Sequence, residues 1–238
     1  MLNQFSREEL LIGKEAMDKL KKAKVAIIGI GGVGSFVLEG LARAGVGNFV
    51  LVDDDKICLT NINRQIIALR STIAKPKVEV AKARVLDINP DAKVETYQEF
   101  FMPETEGILD ESIDYIVDAI DTTTAKIELV LRAQELNIPI ICSMGTGNKI
   151  DPTKFKVVDI YKTEMDPLAK VMRKELRSRG VKHLKVLYST EKPVDIKIDS
   201  EETKGTTKRK VPGSISFVPS VAGLIIASEV VRDLLKAE

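Results

Sequence analysis

The chain has no tryptophan, a single histidine, His183, and two cysteines, Cys58 and Cys142, among 238 residues. Two thiols exclude a disulfide framework and a four-thiolate zinc site, and such sparse cysteine fits a cytoplasmic protein. Long charge-free apolar runs are missing too, so nothing reaches the length of a bilayer span. The opening "MLNQFSREELLIGKEAMDKL" mixes charges into its apolar positions, which excludes a secretory core segment and predicts one amphipathic helix. Neither sign of charge dominates: the formal net charge is +1, so the molecule as a whole is no polycation. The balance is uneven along the chain, however. Residues 1–150 hold 18 Lys+Arg against 22 Asp+Glu, and residues 151–238 hold 18 against 13.

Hydrophobic residues make up 44% of the chain, an ordinary share for a globular protein, and they fall into alternating periods. "KVAIIGI" (24–30), "NFVLVD" (48–53), "DYIVDAID" (114–121) and "IPIICSMG" (138–145) are short β-branched runs. Helical spacing occupies 34–45, 74–88 and 125–137, with Asn89-Pro90 as the stop of the helix over 74–88. Nearly continuous apolar strands suit a sheet covered on both faces, so the pattern predicts an α/β, doubly wound, mostly parallel Rossmann-like sheet. Beyond residue 150, "KFKVVDIYK", "LKVLYST" and a long apolar helix from about 220 to 236 read as C-terminal additions on one side of that sheet. The expectation is a single domain over 1–238, with a nucleotide-binding core in 1–150. The hydrophilic stretch 195–213 offers little to bury and reads as a mobile loop.

Where the first strand gives way to a helix stands Gly29-Ile30-Gly31-Gly32-Val33-Gly34. Glycines permit a tight turn and close approach of a phosphate to backbone N–H groups at a helix N-terminus. Asp53, at the end of the second strand, is placed to accept hydrogen bonds from ribose hydroxyls. These two features alone also fit an NAD-dependent dehydrogenase, and a solvated turn is the plainest account of "DDD". Asn61, Arg64 and Lys77 go beyond both accounts, because a guanidinium fork and an ammonium suit the charge of a triphosphate and of departing pyrophosphate. Asp121, at the end of "YIVDAID", is a candidate Mg²⁺ ligand at the switch point of the sheet.

In order and spacing, "GIGGVGS", "LVDDDKICLTNINRQ", "KPKVEVAKARVLDINP" and "VDAIDT" resemble the ThiF-type adenylation domain of the ubiquitin-activating-enzyme superfamily. The resemblance implies ATP as substrate, Asp53 on the ribose, Asn61, Arg64 and Lys77 on the phosphates, and Asp121 on magnesium. It also implies a homodimer in which Arg7, in "FSREELL", reaches the partner's ATP. Asp55 is a second candidate, either beside the magnesium or orienting Arg64, while Asp54 points to solvent. "GTGNKIDPTKFKVVDIYKTEMDPLAKVMRKELRSRGV", "VLYSTEKP" and "GSISFVPSVAGLIIASEVV" resemble the tRNA threonylcarbamoyladenosine dehydratase branch. That branch adenylates the carboxylate of a modified adenosine beside the tRNA anticodon, and ring closure then expels AMP. A Na⁺ or K⁺ requirement is a further question raised by the resemblance. The alternatives are an adenylyltransferase for the C-terminal glycine of a sulfur-carrier protein and a non-catalytic nucleotide-binding partner. Lacking CxxC pairs and any cysteine after Cys142, the chain gives the sulfur branch, and a sulfur-transfer partner, little to work with.

Residues 168–185 carry seven Lys or Arg and one acid. Lys170, Arg173, Lys174 and Arg177 fall within about two helical turns and share one broad face, a candidate tRNA phosphate contact rather than a merely solvated helix. Lys204, Lys208, Arg209 and Lys210 are placed to add to it. His183 reads as a surface residue or RNA contact, and Cys58 as a packing thiol.

Overall fold

The computed structural model describes residues 2–196 and 212–236. Most of the expected loop over 195–213, with Lys204, Lys208, Arg209 and Lys210, lies outside the described residues. The elements are α1 (Ser6–Ile12), α2 (Lys14–Lys22), β1 (Lys24–Ile28), α3 (Gly34–Arg43), β2 (Asn48–Val52), α4 (Lys77–Ile88) and β3 (Lys93–Tyr97). There follow β4 (Tyr115–Asp118), α5 (Thr123–Glu135), β5 (Ile140–Ser143), β6 (Phe155–Asp159), α6 (Pro167–Ser178), β7 (Lys185–Ser189) and α7 (Phe217–Lys236).

Seven strands form one sheet in the order β3-β2-β1-β4-β5-β7-β6, parallel throughout except for β6 against β7. Alternate residues of β1 feed opposite faces: Val25 and Ile27 pack with Val37 and Leu41 of α3 and Ile226 of α7, while Ala26 and Ile28 pack with Ala125 and Leu129 of α5. Further along that second face, Cys142, Val186 and Tyr188 meet Met172 and Leu176 of α6. Burial on both faces is why these strands read as unbroken apolar runs. No helix of the described residues is long and apolar enough to cross a membrane.

Two expectations need correction, and one strand went unread. The single N-terminal helix is two, broken at Gly13, whose φ of +83° lies outside the helical region. Strand β3 gave no apolar signal because it is an edge strand, with only Val94 buried. The C-terminal elements also do not stay together. β6 and β7 extend the sheet beyond β5, but α7 crosses back and packs parallel to α3 on the opposite face.

That return depends on small residues. A Cβ on Gly223 of α7 would lie 2.5 Å from the Val33 carbonyl oxygen, and one on Gly40 of α3 would lie 2.7 Å from Ala227. Gly223→Ala therefore pits a helix-propensity gain of about 1 kcal/mol against an overpacking cost of roughly 1–3 kcal/mol. The steric cost is expected to prevail, lowering the urea midpoint. A raised midpoint would mean that the two helices can separate at no cost.

Candidate active site

From β1 the chain winds outward through β2 and β3 in one direction, and from β4 through β5 in the other, so the strand order reverses between β1 and β4. Ligand crevices of open α/β sheets form at such a reversal. Here the two strand ends touch. Gly29 has φ +94°, and a Cβ on it would meet the Ala119 carbonyl oxygen at 2.6 Å. A Cβ on Gly34 would lie 1.8 Å from the Gly29 carbonyl, so these two glycines close the turn on itself. Gly32 is backed by Pro219 and by Cγ of Arg64, whereas among the described residues nothing lies within 4 Å of where a Cβ on Gly31 would stand. Gly31 thus presents bare backbone, the surface against which a phosphate can lie.

Asp53 anchors this turn from below. Its side chain is 8% exposed. Oδ2 accepts the Ile30 N–H at 2.7 Å, Oδ1 accepts the Asp55 N–H at 2.9 Å, and the Lys77 ammonium stands 3.4 Å from Oδ1. Burial raises the Asp53 carboxyl above its ordinary range, outweighing the pull of Lys77 and the two N–H donors. Lys77, the first residue of α4, is itself buried and donates to Asp55 Oδ2 at 2.6 Å. Asp55 therefore neutralises Lys77 and does not orient Arg64. Asp54 is exposed as expected, although its carboxylate lies within 4.8 Å of those of Asp53 and Asp55.

Asn61 is buried, and its Oδ1 accepts the Cys58 N–H at 3.1 Å, closing the short helical turn Leu59–Asn61. Arg64 donates through Nη1 alone, to the Thr60 carbonyl at 2.7 Å and to Asn63 Oδ1 at 3.0 Å. Nε and Nη2 make no hydrogen bond among the described residues, which leaves one edge of the guanidinium fork for an anion. Asp121 follows β4 as an exposed residue with no side-chain partner among the described residues. Arg7 is likewise exposed on α1 and unpaired among them.

Two buried ion pairs support the site, and neither was expected. Asp118 and Lys126, both 0% exposed, pair at 2.8 Å; the ammonium also donates to the Ser143 carbonyl, and Asp118 Oδ1 accepts the Ile120 N–H. That pair stiffens the turn carrying Asp121. Its only trace in the sequence is a lysine on the apolar face of α5, eight residues after Asp118. The Lys149 ammonium donates to the Gly145 carbonyl at 2.5 Å and pairs at 3.2 Å with Asp166, which caps α6 through the Ala169 N–H. Through it the N-terminus of α6 is held beside the exit of β5, at the same end of the sheet as the crevice.

On α6, Lys170 and Lys174 are exposed and without side-chain partners among the described residues. Arg173 donates to Thr163, and Arg177 stacks 5.1 Å from the Tyr161 ring centroid. The four cations share a face, but only the lysines are uncommitted. His183 is a surface residue, 88% exposed, with Nδ1 3.3 Å from Asp159.

Comparison with known proteins adds three likenesses. The ThiF family matches residues 5–238. The tRNA threonylcarbamoyladenosine dehydratase of Bacillus subtilis (strain 168) is 49% identical over 244 residues, covering 99% of this chain and 96% of that one. Among solved structures, the tRNA N6-threonylcarbamoyladenosine dehydratase of E. coli in complex with AMP matches with a TM-score of 0.86 at 32% identity, covering 98% of this chain and 94% of that one. The same enzyme in complex with ATP matches with a TM-score of 0.85 at 31% identity, covering 98% and 93%.

Because burial raises the Asp53 carboxyl, the folded chain keeps that proton to higher pH than the unfolded chain does. Its contribution to stability is then fully present below an unfolded pKa of about 3.9 and is lost as pH rises through the raised folded value. Asp53→Asn lacks this loss. Urea unfolding of both proteins across that window should show the variant gaining on the parent as pH rises; a constant difference would mean that the carboxyl is not strained by burial.

Proposed function

Because the chain belongs to the ThiF family, we propose that it is the ATP-dependent dehydratase that cyclises threonylcarbamoyladenosine in tRNA. The observation that carries this reading is the near full-length likeness to dehydratases, which runs through the glycine turn and on through β6, α6, β7 and α7. One sheet drawn from both halves of the chain supports treating residues 1–238 as one adenylation domain.

The reaction has two steps. The nucleotide's carboxylate oxygen attacks the α-phosphorus of ATP, pyrophosphate leaves, and a mixed acyl-phosphate anhydride forms. The nucleotide's own carbamoyl group then attacks the activated carbonyl and gives up one proton, and AMP departs with the carboxylate oxygen, so the product lacks one water relative to the acid. In this reading the Gly31 backbone faces the phosphates and Asp53 takes the ribose on its remaining lone pairs. Asn61 shapes the loop, and the open edge of Arg64 meets the charge developing on pyrophosphate. Lys77 is held in reserve by Asp55 and turns toward phosphate when ATP brings in competing negative charge. Asp121, free of any side-chain partner among the described residues, would hold Mg²⁺, which supplies charge neutralisation at the triphosphate. Arg7, also free among them, is assigned to the ATP of a second subunit in a homodimer. ATP and tRNA as substrates agree with a cytoplasmic location.

No step needs an enzyme thiol. Cys142 is fully buried and its thiol is pushed well above its ordinary range, chiefly by burial, which removes it as a nucleophile. Cys58, in contrast, is exposed and is not the packing thiol expected from the sequence, so what weighs against the sulfur-carrier alternative is the near full-length likeness to dehydratases.

Mass spectrometry of nucleosides from modified tRNA incubated with the protein, ATP and Mg²⁺ should show threonylcarbamoyladenosine losing one water, and omitting Na⁺ or K⁺ in turn would reveal any alkali-ion requirement. ATP consumed only in the presence of a small glycine-tailed protein would overturn the reading. In the same assay, Arg64→Ala and Lys77→Ala should each slow turnover on the order of 100-fold, the scale of removing one preorganised donor. Asp121→Asn should shift the magnesium titration to higher concentration. Parental rates and a parental titration would dismiss those assignments.

The tRNA surface is best probed through Lys170 and Lys174, because Arg173 and Arg177 also hold α6 to its neighbours. Reversing both lysines to Glu should weaken tRNA binding and flatten the slope of log affinity against log salt by roughly one for each phosphate that no longer meets a cation. ATP affinity should stay parental. An unchanged salt slope would make α6 a solvated helix.

A further inference from the structure

Asn63 takes part in none of the steps above, yet it bridges two parts of the chain 151 residues apart. Its Oδ1 accepts Nη1 of Arg64 at 3.0 Å, and its Nδ2 donates to the Ser214 carbonyl at 3.0 Å. The Ser214 end of the bridge is firm. The Gly213 N–H donates to Asn148 Oδ1 at 2.7 Å, the Asn148 N–H donates back to the Gly213 carbonyl at 2.8 Å, and the Asn148 carbonyl accepts the Val194 N–H at 2.7 Å. Asn148 sits at φ +58°, a left-handed conformation that asparagine tolerates better than other residues bearing a Cβ. Three residues past Ser214, α7 begins, and its Pro219 backs Gly32 of the glycine turn.

The geometry points to Asn63 as a positioning residue: it holds the Arg64 guanidinium against a frame built by Asn148, Gly213 and Ser214, so that Nε and Nη2 face the phosphates in a fixed orientation. Without the bridge, Nη1 keeps one partner, the Thr60 carbonyl in its own loop, and the fork can swing about that bond. A donor aimed at a developing charge loses effect steeply with misplacement, so orientation matters here more than mere proximity. The frame brings in residues from the exit of β5 and the approach to α7, which ties the phosphate cation to the C-terminal part of the chain. This inference rests on the reading of Arg64 as a phosphate ligand.

A double-mutant cycle separates the two claims. Asn63→Ala alone should lower kcat for dehydration about 10-fold with KM for ATP within about twofold of the parent, whereas in an Arg64→Ala background it should change nothing further. Asn63→Asp keeps an acceptor for Arg64 but sets a carboxylate against the Ser214 carbonyl, so it should also lose rate. Asn148→Gly, which allows the left-handed backbone and removes the side-chain bond to the Gly213 N–H while leaving the backbone one, should reproduce part of the loss at a distance from ATP. Thermal midpoints of all variants monitor folding. Equal losses from Asn63→Ala with and without Arg64, or parental kcat in Asn63→Asp, would overturn the positioning role. If Arg64→Ala itself kept the parental rate, the phosphate reading of Arg64 would fail instead.

Discussion

Everything at the strand ends depends on the buried Asp53 carboxylate accepting the Ile30 N–H. This bond joins the end of β2 to the turn after β1, and the ammonium at the start of α4 completes the group. A carboxylate in this position is costly, as its raised pKa shows, and local stability alone would favour a neutral group there. What it provides is a turn whose open peptide at Gly31 is held in place before any ligand arrives. Preorganisation of this kind moves the reorganisation cost out of the reaction and into folding.

The same economy of charge appears across the crevice. Lys77 is paired with Asp53 and Asp55, and Arg64 is satisfied along one edge and open along the other. The first arrangement neutralises a buried cation. The second leaves one edge of a guanidinium without a partner among the described residues, as the proposed role at the phosphates requires. Behind them, Asp118 and Lys126 form a pair with no exposure at all, and losing either partner would leave an uncompensated buried charge beneath the turn carrying Asp121.

The C-terminal part completes this site as well as extending the sheet. α7 reaches the glycine turn because Gly223 and Gly40 let two parallel helices approach until backbone meets side chain. Lys149 and Asp166 draw the start of α6 to the same end of the sheet, so the exposed Lys170 and Lys174 stand on an element tied to the exit of β5. Nucleotide turn and basic helix are thereby carried by one sheet, which suits chemistry that must bring a polyanionic RNA to a triphosphate.

The parallel sheet, the glycine turn and the carboxylate at Asp53 were legible in the sequence, because unbroken apolar runs and turn chemistry are properties of neighbouring residues. Asn61, Arg64 and Lys77 were legible as a set, but their partners were not: with 36 cations facing 35 acids, which charges meet is decided by packing. That is why Asp55 proved to be the partner of Lys77, why Asp118–Lys126 left no more than a lysine on an apolar helix face, and why Lys149–Asp166 left no readable trace. β3 hid because an edge strand buries little, and the break at Gly13 because one glycine costs a helix too little to announce itself. The crossing of α7 to the far face, and with it the bridge from Arg64 through Asn63 to Ser214, came from the tertiary structure alone, since a helix's apolar stripe says that it must be covered and not by what.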